Sequence, residues 1–215
     1  LESARSATVA AELPEQATPP GTAGRILVAG LELFAEKGFS GTSIRDIGGR
    51  LGINSATLYS HYRSKEHVLA ALVLLGHQEL HTRLQRALVA SRGGPAEQLV
   101  ALVRAHVLAH AEYPLLALVA NAELHALRSE AAAPALALRE QSRQLLLAVL
   151  DEGVRCGEFT VADPLLAAAA IVGMGRQVAH WYGPQQPYSP TQIADTFSGY
   201  ALAVAGAAHY EREST

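Results

Sequence analysis

Apolar residues recur along most of the chain at helical spacing, and no stretch of strand-like alternation interrupts them. Leu27, Gly30, Leu31 and Phe34 lie at i, i+3, i+4 and i+7, which draws one apolar stripe along a helix predicted over 22–37. Gly38 stands where a positive φ ends a helix at least cost. Thr42 is placed to cap a short helix over 43–51, with Arg45 rather than Glu three residues on, so only half of a capping box is expected. Ile44, Ile47 and Leu51 give that helix its buried side. Gly52 breaks it, and a second short helix is predicted over 54–61. Longer helices follow over 65–91, 95–111, 114–129, 134–156, 164–182 and 190–209. Pro114 and Pro164 fall in first turns, where a missing N–H does no harm, and Asp163 caps the helix that Pro164 opens. Residues 183–187 form a loop. Residues 1–20 show no sustained period, end in Pro19-Pro20, and read as a flexible tail. The pattern is that of an all-α protein of about nine helices, without internal repeats.

Composition agrees. Of 215 residues, 49% are hydrophobic and 17% charged, enough apolar material for one large domain or two small ones. Aromatics are only 6%, and Ala, Leu and Val carry the apolar count, which favours helices over strands. The apolar run 164–175 is well short of the roughly 20 residues that cross a bilayer, so no membrane span is expected. The single cysteine, Cys156, excludes an internal disulfide framework. No basic-then-apolar leader pattern opens the chain, and a cytoplasmic location is expected.

Net charge becomes informative only when divided. Residues 21–65 carry Arg25, Lys37, Arg45, Arg50, Arg63 and Lys65 against Glu32, Glu36 and Asp46, a balance of +3. Residues 1–20 stand at −2 and residues 66–215 at −4. A basic segment joined to an acidic body points to an anionic partner for the former alone. The same segment holds the most specific pattern in the chain, TSIRDIGGRLGINSATLYSHYRSK from Thr42 to Lys65. Two short helices joined by a glycine-containing turn, the second with a polar outer face, make the helix-turn-helix layout. The second helix of such a unit enters the major groove. Its first residues, Asn54, Ser55, Ala56 and Thr57, are small or polar and can reach base edges, while Leu58 and Tyr62 at i, i+4 face the core. Tyr59 and His61 project sideways towards phosphate oxygens, and Lys65 adds a charge at the N-terminus of the next helix.

The run Leu33-Phe34-Ala35-Glu36-Lys37-Gly38-Phe39, then Thr42 to Ile47, Leu51-Gly52-Ile53, and Leu58-Tyr59-Ser60-His61-Tyr62-Arg63-Ser64-Lys65-Glu66, resembles the DNA-binding domain of the TetR family of bacterial transcriptional regulators over about residues 22–68. The resemblance implies phosphate contacts from Thr42, Tyr59, His61 and Lys65 and base-edge contacts from Arg45, Asn54, Ser55 and Thr57. The chain departs from the family pattern at Ser55, Ala56 and Ser60, which makes the recognition helix less cationic than many. At Gly48 Ala is usual, and the Gly48-Gly49 pair weakens the first short helix by about 1 kcal/mol per glycine. The implied organisation is a tail over 1–20, a three-helix DNA-binding domain over 21–68, and a helical ligand-binding and dimerisation domain over 69–215. The implied function is a ligand-responsive repressor that binds a palindromic operator as a homodimer and is released by a small, largely apolar effector.

The segment His180-Trp181-Tyr182-Gly183-Pro184, followed by 192–200, resembles the KstR-like branch, whose members often sense acyl-CoA thioesters. Residues offered as effector contacts are Asn121 and His125, taken to share a face of one helix, together with Met174, Arg176 and Trp181. Each has a plainer role open to it: Arg176 could pair with an acid such as Glu123, and Met174 and Trp181 could fill core. Small residues on the last two helices, Ala167, Ala168, Ala170, Gly173 and Gly175 on one and Gly199, Ala203, Ala205 and Gly206 on the other, suit a four-helix dimer interface or close packing within the chain. His77 and His81, and His106 and His110, repeat at i, i+4, but no HExxH glutamate or nearby cysteine completes a metal site, and hydrogen-bonded histidines are expected instead. No cofactor is expected. No nucleophile elbow, phosphate loop or dinucleotide fingerprint occurs, so the chain does not read as an enzyme. The alternative to a regulator is a helical adaptor without a small-molecule site, which leaves the helix-turn-helix unexplained.

Overall fold

The computed structural model describes residues 10–183 and 185–207. Among them all regular structure is helical: α1 (Thr22–Gly41), α2 (Ile44–Leu51), α3 (Ser55–His61), α4 (Lys65–Ala90), α5 (Pro95–Glu112), α6 (Pro114–Ala122), a 3₁₀ turn (Leu124–Ala126), α7 (Ser129–Cys156), α8 (Pro164–Trp181) and α9 (Pro190–Val204). The helix expected to run to 209 stops earlier: α9 ends at Val204, with Ala205 as its C-cap and Gly206 at φ 62°. The first nine residues of the tail lie outside the described residues.

Three boundaries differ from the sequence expectation. The helix expected over 114–129 stops at Ala122, gives way to the 3₁₀ turn, and restarts at Ser129, ahead of Pro134, which sits inside α7. Residues 10–20 are not a free tail: Pro14 is buried, its carbonyl accepts from the Ala17 and Thr18 N–H groups, and Ala11 and Leu13 pack on the core. Thr42 does not cap α2. Ser43 does, and its hydroxyl accepts from the Asp46 N–H while the Asp46 carboxylate accepts from the Ser43 N–H, a complete capping box closed by Asp rather than Glu.

The chain forms two compact units. Of the described residues, the first comprises those up to Glu79, Tyr113–Leu138 and 182–183; the second comprises Leu80–Glu112, Arg139–Trp181 and 185–207. In the first unit, α1 packs on α2, α3 and α6 around Ile26, Leu27, Leu31, Phe34, Ile47 and Leu58, with Val68, Leu69 and Leu72 of α4 and Leu116 and Val119 of α6. Gly30 lets α1 lie close against α4, since a Cβ there would lie 2.6 Å from Val68 Cγ1. In the second unit α5 is the central helix and packs on α8 and α9. The small residues of α8 and α9 divide between the two roles open to them. Ala167, Ala168, Gly175 and Ala205 are buried within the chain, Gly173 and Gly206 are half-buried, and Ala170, Gly199 and Ala203 are exposed, as are Leu165, Leu166, Tyr200 and Val204.

Candidate nucleic-acid interface

The helix-turn-helix is built from local signals. Gly38, at φ 70°, breaks α1 and turns the chain towards Ser43. Gly52, at φ 65°, is the left-handed C-cap of α2, and its N–H donates to the carbonyls of Gly48 and Gly49. Asn54 then caps α3, its side-chain oxygen accepting from the Thr57 N–H at 2.8 Å. Ile47 of α2 and Leu58 of α3 are wholly buried and bind the two helices to α1. Gly48 sits at the α2–α3 crossing, where a Cβ would lie 3.3 Å from the Ile53 carbonyl oxygen, so its absence eases the approach that the propensity argument counts against it. Tyr62 is half-buried against the same core, and its hydroxyl reaches the Ala23 carbonyl.

This packing leaves one polar edge outward. Arg45, Asn54, Ser55, Tyr59, Ser60 and His61 are exposed, and Thr57 is half-buried. Tyr59 is the large aromatic side chain on that edge, 49% exposed. Arg50 is less available. Its guanidinium is forked between Glu32 and Glu36 of α1, each at 2.9 Å, which neutralises its charge and holds the Glu36 carboxyl below its ordinary pKa.

Two residues expected to face phosphate are placed differently. Thr42 is buried; its hydroxyl donates to the Gly38 and Leu33 carbonyls at 2.9 and 3.1 Å, inside the corner between α1 and α2. Lys65 is half-buried, with its ammonium 2.8 Å from both the Phe39 and the Thr42 carbonyl oxygens and 4.3 Å from the centre of the Phe39 ring. Both therefore hold the corner between α1 and α2, because the carbonyls left by the break at Gly38 need donors.

The residues offered as effector contacts do not form one cluster within either unit. Asn121 closes α6, half-buried, and its amide donates to the Ala117 carbonyl; His125 is exposed on the 3₁₀ turn, so no single helix face carries both. Met174 and Trp181 are half-buried and Arg176 is exposed on α8 of the second unit. Glu123, considered as a partner for Arg176, instead accepts from the Phe39 N–H. The histidines are more buried than spacing alone suggests. His81 is buried and hydrogen-bonded to the Ser142 hydroxyl at 3.0 Å. His106 and His110 are buried with ring centroids 4.4 Å apart; the His110 Nδ1 lies 2.9 Å from the His106 carbonyl oxygen, and the His106 ring abuts Gly175 of α8. Since a carbonyl only accepts, His110 Nδ1 carries the proton. Burial pushes the pKa of His110 down to about 4 and that of His106 well below its ordinary value, with the nearby Arg176 charge acting the same way. Both imidazoles are thus neutral at pH 7.

Comparison with known proteins agrees with this geometry. Residues 26–72 match the family described as bacterial regulatory proteins, tetR family, and residues 92–205 match the tetracyclin repressor-like C-terminal domain. The chain is 29% identical over 196 residues to the HTH-type transcriptional repressor KstR2 of Rhodococcus jostii, covering 86% of this chain and 96% of that one. A crystal structure of a tetR-family regulatory protein from Rhodococcus RHA1 is 29% identical, with a TM-score of 0.83 over 89% of this chain and all of that one. The ketosteroid transcriptional regulator KstR2 of Mycobacterium tuberculosis is 25% identical, with a TM-score of 0.80 over 87% of this chain and 96% of that one. The helix-turn-helix and the helical body that follows it are therefore those of a transcriptional regulator rather than an enzyme, and the chain belongs to the TetR family.

Proposed function

We propose that this regulator is a repressor that binds a palindromic operator as a homodimer and leaves it when a small, largely apolar effector binds the helical body. The observation that carries the DNA half is the exposed polar edge of α3 backed by fully buried Leu58, which leaves Ser55 and Thr57 for base edges and Tyr59 and His61 for phosphates. Arg45 and the free amide nitrogen of Asn54 complete the DNA-facing set. Exposed apolar side chains on both helices, Leu165 and Leu166 on α8 and Tyr200 and Val204 on α9, together with exposed Ala170, Gly199 and Ala203, support dimerisation through α8 and α9. Residues 21–68 act as the DNA-binding head and 69–215 as the responsive body, working in the cytoplasm.

The effector class follows the KstR-like resemblance and the KstR2 relatives: acyl-CoA thioesters first, other lipophilic compounds second. Coupling requires only that effector and DNA favour different conformers. The test is a duplex selected from a random pool by the wild-type protein, followed by a mobility shift with and without steroid-derived and fatty acyl-CoA thioesters. Sequence-specific binding that one such thioester abolishes supports the reading. Failure to select any sequence favours the helical adaptor.

A further inference from the structure

The corner between α1 and α2 is held by side chains from outside the helix-turn-helix itself. Gly38, at φ 70° and ψ 168°, turns the Phe39 N–H out of the helical ladder. Glu123, 84 residues on, takes it up: its Oε1 accepts that N–H at 3.2 Å. The carbonyl of the same residue accepts from Lys65, whose ammonium also reaches the Thr42 carbonyl and lies over the Phe39 ring. Phe39 is thus fixed by a carboxylate on its N–H and an ammonium on its C=O, from two different elements. A second tie joins the same two stretches. Glu66 at the start of α4 accepts from the Arg128 guanidinium at 3.0 Å and from the Arg128 backbone N–H at 3.1 Å. Glu123 and Arg128 both lie between α6 and α7, within the part of the chain that matches the C-terminal family domain, yet they fold into the same compact unit as α1–α3.

We infer that Glu123 and Lys65 are positioning residues for operator binding: together they fix the Phe39 peptide, and through it the direction in which the chain leaves α1 for α2 and α3. The corner is the only covalent link between α1 and α2, and Thr42 and Ser43 at its end orient and cap the helix on which α3 packs. A carboxylate accepting a peptide N–H and an ammonium donating to two carbonyls are charge-assisted bonds, shielded here by the Phe39 ring and the helix ends. Both charges are engaged by the backbone of the corner. The head's affinity for DNA therefore depends on the segment following α6. This rests on the operator-binding reading above.

The experiment compares the full-length wild type with Glu123→Met, Glu123→Gln and Lys65→Met on the duplex selected by the wild type, at several salt concentrations. Amide exchange of the peptide spanning Phe39 is followed in the same samples. Met matches Glu in length but offers no good acceptor, whereas Gln retains one. Glu123→Met is expected to speed exchange at Phe39 and weaken binding about ten-fold, the worth of one charge-assisted hydrogen bond at its lower end. Glu123→Gln is expected to restore both. Lys65→Met is expected to weaken binding with the salt slope unchanged, because no counterion is released at a charge that meets carbonyls; a phosphate contact would instead lower the slope by about 0.9. Unchanged or tighter binding by Glu123→Met, or a Gln variant no better than Met, overturns the role of Glu123. A reduced slope in Lys65→Met overturns that of Lys65. A wild type that selects no duplex overturns the repressor reading itself.

Discussion

Acidification from pH 7 to pH 5 should destabilise the second compact unit through His106 and His110. In the folded protein the His110 pKa is depressed from its ordinary 6.5 to about 4, by burial first, so the native state stays neutral where the unfolded chain takes up a proton. Stability is fully present above pH 6.5 and is lost as pH falls towards 4. At pH 5 the unfolded histidine is almost wholly protonated and the native one about a tenth, which costs about 2 kcal/mol for His110 alone. His106, shifted in the same direction, adds to it. In a chain of this length each kcal/mol moves the thermal midpoint by about 2–4 °C, so a fall of at least about 4 °C is expected between pH 7 and pH 5. The carboxylates lowered by ion pairs, Glu36, Glu66, Glu140 and Glu152, titrate below this window. Urea unfolding at half-unit pH steps measures the slope, which should approach about 1.4 kcal/mol per pH unit for each buried histidine. His110→Leu should remove one proton's worth, and the double variant with His106→Leu should flatten the profile. A wild-type profile already flat between pH 7 and pH 5 would refute the burial of neutral imidazoles.

Three further outcomes follow from the packing and the polar edge. Tyr59→Phe should weaken operator binding while leaving the dimer intact in sedimentation; equal affinity in a mobility shift removes the Tyr59 hydroxyl from the contact set. Arg50→Gln should leave the salt slope of operator binding unchanged, because Glu32 and Glu36 already neutralise that charge; a slope lower by about one would show a phosphate contact. Gly30→Ala should destabilise the first unit, the helix-propensity gain of about 1 kcal/mol being outweighed by overpacking of about 1–3 kcal/mol against Val68. Adding Val68→Ala relieves that contact, so the double variant should lose less than the sum of the two single losses, and strict additivity in thermal unfolding would count against the contact.

Much of the head was legible because its signals are local. Gly38, Gly52 and Asn54 act within a few residues, and the apolar spacing of Leu27, Leu31, Ile47 and Leu58 points each side chain into one core. Misplacements arose where a distant partner decides. Lys65 stands at a helix start, a good anion site by sequence, but the fold brings the Phe39 and Thr42 carbonyls within 2.8 Å of its ammonium. Thr42 and Ser43 are adjacent and both able to cap, and the buried bonds of Thr42 hand the role to Ser43. Pro134 reads as a helix start, yet Ser129 begins α7, directly after Arg128, which Glu66 of α4 holds from 62 residues away. The i, i+4 spacing of His106 and His110 was plain, but both are buried, and the His106 ring packs where Gly175 of α8 lacks a side chain, which no local pattern announces.

The account turns on α3 entering the major groove of a symmetric site. Guanine-N7 methylation interference on the duplex selected by the wild-type protein tests this directly, because N7 lies in the major groove. Interference at two symmetric half-sites centred about 34 Å apart is the predicted result. Interference confined to adenine N3 in the minor groove, or to one unpaired half-site, would contradict it.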